Sequence, residues 1–162
     1  MKNTTTMERK SDRELVITRN VNGPARLVFE AWTNPELFRQ WWIPKSFGLT
    51  LLSYEADIRT GGQYRLVFAH GDSGSMAFFG KYLEVTPHSR LVWTNEESED
   101  GSVTTVTLEE QGETTLLVLH ELYPSKEALE AAMSSGEKSG MDETFDQLDE
   151  LLAGLGAGVG QA

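Results

Sequence analysis

Three histidines, His70, His88 and His120, are the side chains in this chain best suited to proton transfer near neutral pH. Their spacing forms no metal-binding pair, and metal coordination needs three or four converging ligands. With no cysteine in the sequence, thiol nucleophiles, disulfides and thiolate-held metals are excluded. His88 follows Pro87 in a turn, and His70 ends a strand pattern. His120 lies among Leu119, Leu122 and Tyr123 in the last strand pattern, where it reads either as a hydrogen-bonded structural histidine or as a side chain projecting into a cavity. It is the weak catalytic candidate, with Glu121 and Glu55 behind it as acid–base groups. "GDSGS", residues 71–75, has the look of a serine-protease nucleophile segment, but Gly, Asp and Ser are also turn-formers. A hairpin is the reading adopted. No phosphate loop, dinucleotide fingerprint or metal motif is present, so no metal and no cofactor is expected.

The elements that must position these residues can be read from period and punctuation. Residues 1–12 are polar and aperiodic, and read as a flexible leader. A strand over 13–22 runs to Gly23-Pro24. "PARLVFEAWTN" then carries Leu27, Val28, Ala31 and Trp32 on one helical stripe. Asn34 caps a second helix with Pro35 in its first turn, and Leu37, Phe38, Trp41 and Trp42 repeat the stripe. Three of the four tryptophans thus lie on two short consecutive helices. Six strand patterns follow between residues 49 and 123, separated by Gly-containing turns, as an antiparallel meander. Several are apolar on both faces, which fits a sheet partly buried on its outer side by self-association.

The last region holds a short helical turn, "KEALEAAM", then a longer helix. Met141, Phe145, Leu148, Leu152 and Leu155 form its apolar stripe; Asp142, Glu143, Asp146, Asp149 and Glu150 form its solvent face. Residues 155–162 read as a flexible glycine-rich tail. The predicted organisation is one domain over 13–154, with a curled sheet gripping the long helix.

"NGPARLVFEAWTNPELFRQWWIP", "IRTGGQYRLVF", "GKYLEVTPHSRLVWT" and "SGMDETFDQLDELLA", in that order, resemble the activator of heat-shock-protein-90 ATPase-like branch of the START-like, or SRPBCC, superfamily. The resemblance spans nearly the whole chain. It implies an α+β helix-grip fold: a curved seven-stranded antiparallel sheet around a long C-terminal helix. Two short helices follow the first strand, and an internal cavity lies between helix and sheet. Relatives often carry Gly, Pro and Trp where this chain has Ile43, Thr60 and Met141.

Such a cavity would bind a small hydrophobic or aromatic molecule, a lipid, polyketide or similar metabolite. Trp42, Phe47, Tyr64, Phe68, Phe79, Trp93, His120, Met141 and Phe145 are the expected lining. Trp32 and Trp41 are expected to hold the short helices to the sheet. Phe78 and Phe79 compete for the inward side, so the parity of residues 76–85 stays open. Two other functions fit the same resemblance: a cyclase- or hydrolase-like enzyme using that cavity, and an interaction protein activating a chaperone ATPase. A non-enzymatic role is favoured, and a homodimer is compatible with the strand pattern. A net charge of −11 without a basic patch argues against nucleic acid as a partner. With no signal peptide pattern and no apolar run of spanning length, the expected setting is cytoplasmic and off the membrane.

Overall fold

The computed structural model describes residues 5–42, 48–69, 74–96, 101–134 and 141–160, the last helix having described side chains over 143–154. Eight strands make one antiparallel sheet: β1 (Thr6–Arg9), β2 (Glu14–Val21), β3 (Thr50–Ala56), β4 (Gln63–Ala69), β5 (Ser75–Thr86), β6 (Arg90–Thr94), β7 (Val103–Gln111) and β8 (Thr114–Leu122). Their order across the sheet is β1-β2-β8-β7-β6-β5-β4-β3. Helices α1 (Ala25–Thr33) and α2 (Pro35–Trp41) join β2 to β3, and α3 (Lys126–Ser134) and α4 (Met141–Gly160) follow β8. This is the expected α+β helix-grip architecture with one strand more than the seven predicted.

The extra strand comes from the segment read as a leader. Thr6–Arg9 pairs with Leu15–Thr18 as an edge strand. Its four residues are all exposed, so backbone pairing alone orders it and no apolar alternation announces it. At the other end, α4 continues to Gly160, through most of the segment expected to be a loose tail.

Period-two alternation sorts the sheet into an inner and an outer face. In β2, Leu15, Ile17, Arg19 and Val21 are buried; in β8, Thr115, Leu117, Leu119 and Glu121. Leu116 and Val118 lie on the outer face and are half-buried there. Asn34 ends α1 and starts α2: its side chain accepts a hydrogen bond from the Glu36 backbone N–H at 3.0 Å, and Pro35 follows as a first helical residue that has no N–H to satisfy.

Side chains of α4 complete the far end of α2. Gln147 Nε2 donates to the Trp41 carbonyl at 2.9 Å, and Thr144 Oγ1 donates to the Trp42 carbonyl at 3.4 Å. The last carbonyls of a helix have no partner within it, so these two bonds satisfy groups that α2 cannot. Phe145, Leu148 and Leu152 are fully or almost fully buried beneath them. Each contributes on the order of 1.5–3 kcal/mol by leaving water.

The acidic face of α4 is not wholly a solvated surface. Arg19, on the inner side of β2 and 2% exposed, donates through Nη2 to Asp146 Oδ1 at 2.8 Å and to Asp149 Oδ2 at 2.6 Å. Its Nη1 donates to Thr5 Oγ1 at 3.1 Å, and Asp149 Oδ1 also accepts from the Asn22 backbone N–H at 2.8 Å. Arg19→Ala takes the guanidinium away from Asp146 and Asp149, whose side chains are only 25% and 13% exposed. It is expected to lower unfolding free energy by about 3–5 kcal/mol in urea titrations. A loss below about 1 kcal/mol, the range of a surface ion pair, would show that the pair does not hold the helix.

Candidate functional site

The inner face of the sheet carries a band of aromatic and polar side chains opposite α1, α2 and α4. Register aligns Tyr82 with Trp93, Trp93 with Thr104, Thr104 with Glu121, and Glu121 with Leu15. Directly opposed residues in antiparallel strands point the same way. These five therefore form one rung across β5, β6, β7, β8 and β2.

The aromatic part is built around Trp32. Its ring centroid lies 4.7 Å from Trp41, 5.4 Å from Trp42, 5.6 Å from Trp93 and 6.0 Å from Phe38. Phe38 stacks on Trp42 at 5.0 Å and meets Tyr54 of β3 at 5.6 Å. Edge-to-face and offset pairs of this kind each add about 0.5–1.5 kcal/mol beyond area burial. Trp41 is fully buried, and its indole Nε1–H donates to the Ala31 carbonyl at 2.9 Å. Trp32 is 2% exposed, yet among the described residues its Nε1–H has no hydrogen-bond acceptor. A buried donor left in that state costs about 1–3 kcal/mol.

The polar part runs along one end of the strands. Glu121 is 6% exposed, and its carboxylate accepts from Tyr123 OH at 3.0 Å and from Ser102 Oγ and Thr104 Oγ1, each at 3.4 Å. Asn95 Nδ2 donates to Thr104 Oγ1 at 3.0 Å, and Tyr64 OH donates to the Thr94 carbonyl at 2.7 Å. Gly80 makes that approach possible: a Cβ there would sit 2.0 Å from the Thr94 carbonyl oxygen. Tyr54, Tyr64 and Tyr82 occupy the inner sides of three successive strands, β3, β4 and β5. Burial pushes the Tyr54 phenol up to about 12, a hydrogen bond from Tyr82 opposing the rise. Burial also raises the Tyr82 phenol, with Tyr54 and Tyr64 adding to the effect. Both are neutral hydrogen-bonding groups at physiological pH.

The structure brings together Trp42, Tyr64, Phe68, Trp93 and Phe145 of the expected lining on the inner side. Phe68, Tyr64, Trp93 and Phe145 are buried; Trp42 is half-buried. Two expectations are corrected. Phe79 is 40% exposed on the outer face, while Phe78, half-buried, meets Phe68 at 5.9 Å. The reason is parity with Gly80 and Tyr82, both buried. His120 does not project inward: it pairs with Val16 and Thr105 on the outer face, where its Nε2 lies 3.8 Å from Glu14 Oε1. Its neighbour Glu121 takes the inward position. Glu55 is exposed. Phe47, His70 and most of the "GDSGS" segment lie outside the described residues, as does the Met141 side chain. Among the described residues no group of three or more His, Asp or Glu could hold a metal ion. No described helix is long and apolar enough to cross a membrane.

Sequence reasoning had no direct signal for Tyr54 and Tyr82, or for Asn95 with Ser102 and Thr104. Their convergence depends on strand register. Arg19 did carry one, sharing parity with Leu15, Ile17 and Val21.

The sequence profile of the family described as Activator of Hsp90 ATPase homolog 1-like protein matches residues 22–153. The chain belongs to that family. The Activator of Hsp90 ATPase homolog 1-like fold recurs in solved structures. A protein from Rhodobacter sphaeroides has 22% identity and a TM-score of 0.86, over 94% of this chain and 99% of that one. One from Nitrosomonas europaea has 24% identity and a TM-score of 0.82, covering 92% and 99%. One from Chromobacterium violaceum has 27% identity and a TM-score of 0.72, covering 85% and 96%. No curated protein matches the chain.

The raised phenols give a pH prediction. For a tyrosine with a folded pKa above its unfolded value of 10, the stabilising contribution is complete below pH 10. It is lost as pH rises from 10 through the folded value. Ultraviolet titration of native protein at pH 11 should therefore ionise fewer than the four tyrosines present. Unfolding in denaturant at that pH should release the rest. Full ionisation of all four in folded protein at pH 11 would contradict the burial described.

Proposed function

We propose that this family member binds a small hydrophobic or aromatic molecule between α4 and the inner face of the sheet. The observation carrying this is the incomplete burial of Trp42, Tyr54 and Phe78. All three pack against the core from the inner side, yet each remains half-buried. Large aromatic groups that line the interior without being closed over suit an apolar ligand that completes the packing. The tyrosine hydroxyls, Asn95 and Glu121 supply a few polar groups for orientation.

A second reading is supported by the inward carboxylate of Glu121 among Ser102, Thr104 and Tyr123. In that reading Glu121 acts as general acid or base on the bound molecule. His120, facing outward, has no part in it.

Two measurements test these readings. A panel of hydrophobic ligands, followed by quenching of tryptophan fluorescence, should give saturable binding. Trp42→Ala should weaken that binding about tenfold or more while lowering stability by about 2–4 kcal/mol and leaving the protein folded. Loss of stability with unchanged affinity would defeat the ligand-lining role. If turnover of any bound compound is found, Glu121→Gln should abolish it and leave affinity within about threefold. His120→Ala should leave turnover unchanged. The reverse pattern would reject the role given to Glu121.

A further inference from the structure

We infer that the ligand presents a neutral acceptor oxygen to the Trp32 indole N–H, making Trp32 a specificity-determining residue. The inference rests on the ligand-binding reading above and names the class of molecule bound: a flat apolar compound carrying a carbonyl.

An indole N–H can donate and cannot accept, so its natural partner is an acceptor. Trp32 Nε1 is buried and has none among the described residues. Rings surround the Trp32 indole: Trp41 at an interplanar angle of 77°, Trp42 at 62°, Phe38 at 42° and Trp93 at 40°. Ring faces are weak acceptors compared with oxygen. In the same cluster Trp41 directs its N–H to a backbone carbonyl, which shows what a structural tryptophan here requires. Trp32 contributes the same apolar packing and leaves its polar atom unspent.

A solvent molecule is a poor substitute, because a buried water needs two to four polar partners. A carbonyl borne on an apolar body needs only the one donor, and the body packs on the surrounding rings. A carboxylate fits badly: it would enter a chain of net charge −11 among phenols held neutral by burial, with Glu121 in register two strands from Trp93. Half-buried Trp42, in edge contact with Trp32, places the cluster next to solvent and gives a ligand a way in.

The test compares 2-acetylnaphthalene with 2-isopropenylnaphthalene. The second replaces the ketone oxygen by a methylene group of nearly the same shape. Affinities are measured by calorimetry. Indole N–H resonances are followed by nitrogen-15 NMR and assigned by a Trp→Phe substitution at each of the four tryptophans. The ketone should bind about fivefold more tightly than the hydrocarbon. It alone should move the Trp32 Nε1–H resonance downfield, and Trp32→Phe should remove the preference while the hydrocarbon still binds. Should Trp32→Phe fail to fold, the other three variants assign Trp32 by elimination, and the resonance shift in the unsubstituted protein decides. Equal affinities with no shift at Trp32 overturn this inference alone and leave hydrophobic ligand binding standing. Absence of saturable binding by either compound overturns the ligand reading and this inference with it.

Discussion

A guanidinium taken out of water costs several kcal/mol unless carboxylates follow it, and this requirement governs how α4 lies on the sheet. Arg19 is placed on the inner side of β2 by strand parity, between Ile17 and Val21. Asp146 and Asp149 are on adjacent turns of α4, and both reach it. Sliding the helix by one turn would strand charge on both sides. Leu148 and Leu152 are seated by the same register, and so are Gln147 and Thr144, which satisfy the end of α2. The apolar stripe alone would tolerate several helix positions; the ion pairs select one.

With α4 fixed, the two short helices have one place to go. Their tryptophans wedge between α4 and β6, through Trp41 against Phe145 and Trp32 against Trp93. The resulting interior has an aromatic side, fed by α1, α2 and β6, and a hydroxyl-rich side along β4, β7 and β8. That division suits recognition of a molecule by shape with a few oriented polar contacts. The family spans many sequences on one fold, so the particulars of these side chains, rather than the fold, bear on what is bound.

Much of this was legible in the sequence because punctuation and period agreed. Asn34-Pro35 marked the break between helices, glycines marked the hairpins, and the spacing of Phe145, Leu148 and Leu152 marked α4. The inner side of β8 was not legible. Leu117, Leu119 and Glu121 alternate with Leu116, Val118 and His120, and both series begin apolar. Nothing local tells the carboxylate from the imidazole as the inward group; only pairing with β2 and β7 decides. Residues 76–85 posed the same difficulty for Phe78 and Phe79, although buried Gly80 held the answer in its lack of a side chain. The strand at Thr6–Arg9 escaped because edge pairing leaves no apolar trace.

The strand order also sets a timetable for folding. β3 to β8 follow one another as neighbours in the sheet, so each can pair with a partner just made. β2 cannot. Its main partner is β8, and Val21 meets Thr115 only after the intervening chain has been gathered in. Closing so long a loop is entropically unfavourable and makes non-local sheets slow to form. Until β6 and α4 are made, the paired helices lack the Trp93 and Phe145 rings that their tryptophans pack against. The segment richest in aromatic surface is therefore synthesised before the elements that shelter it, which makes the half-made chain more prone to aggregate than the finished protein.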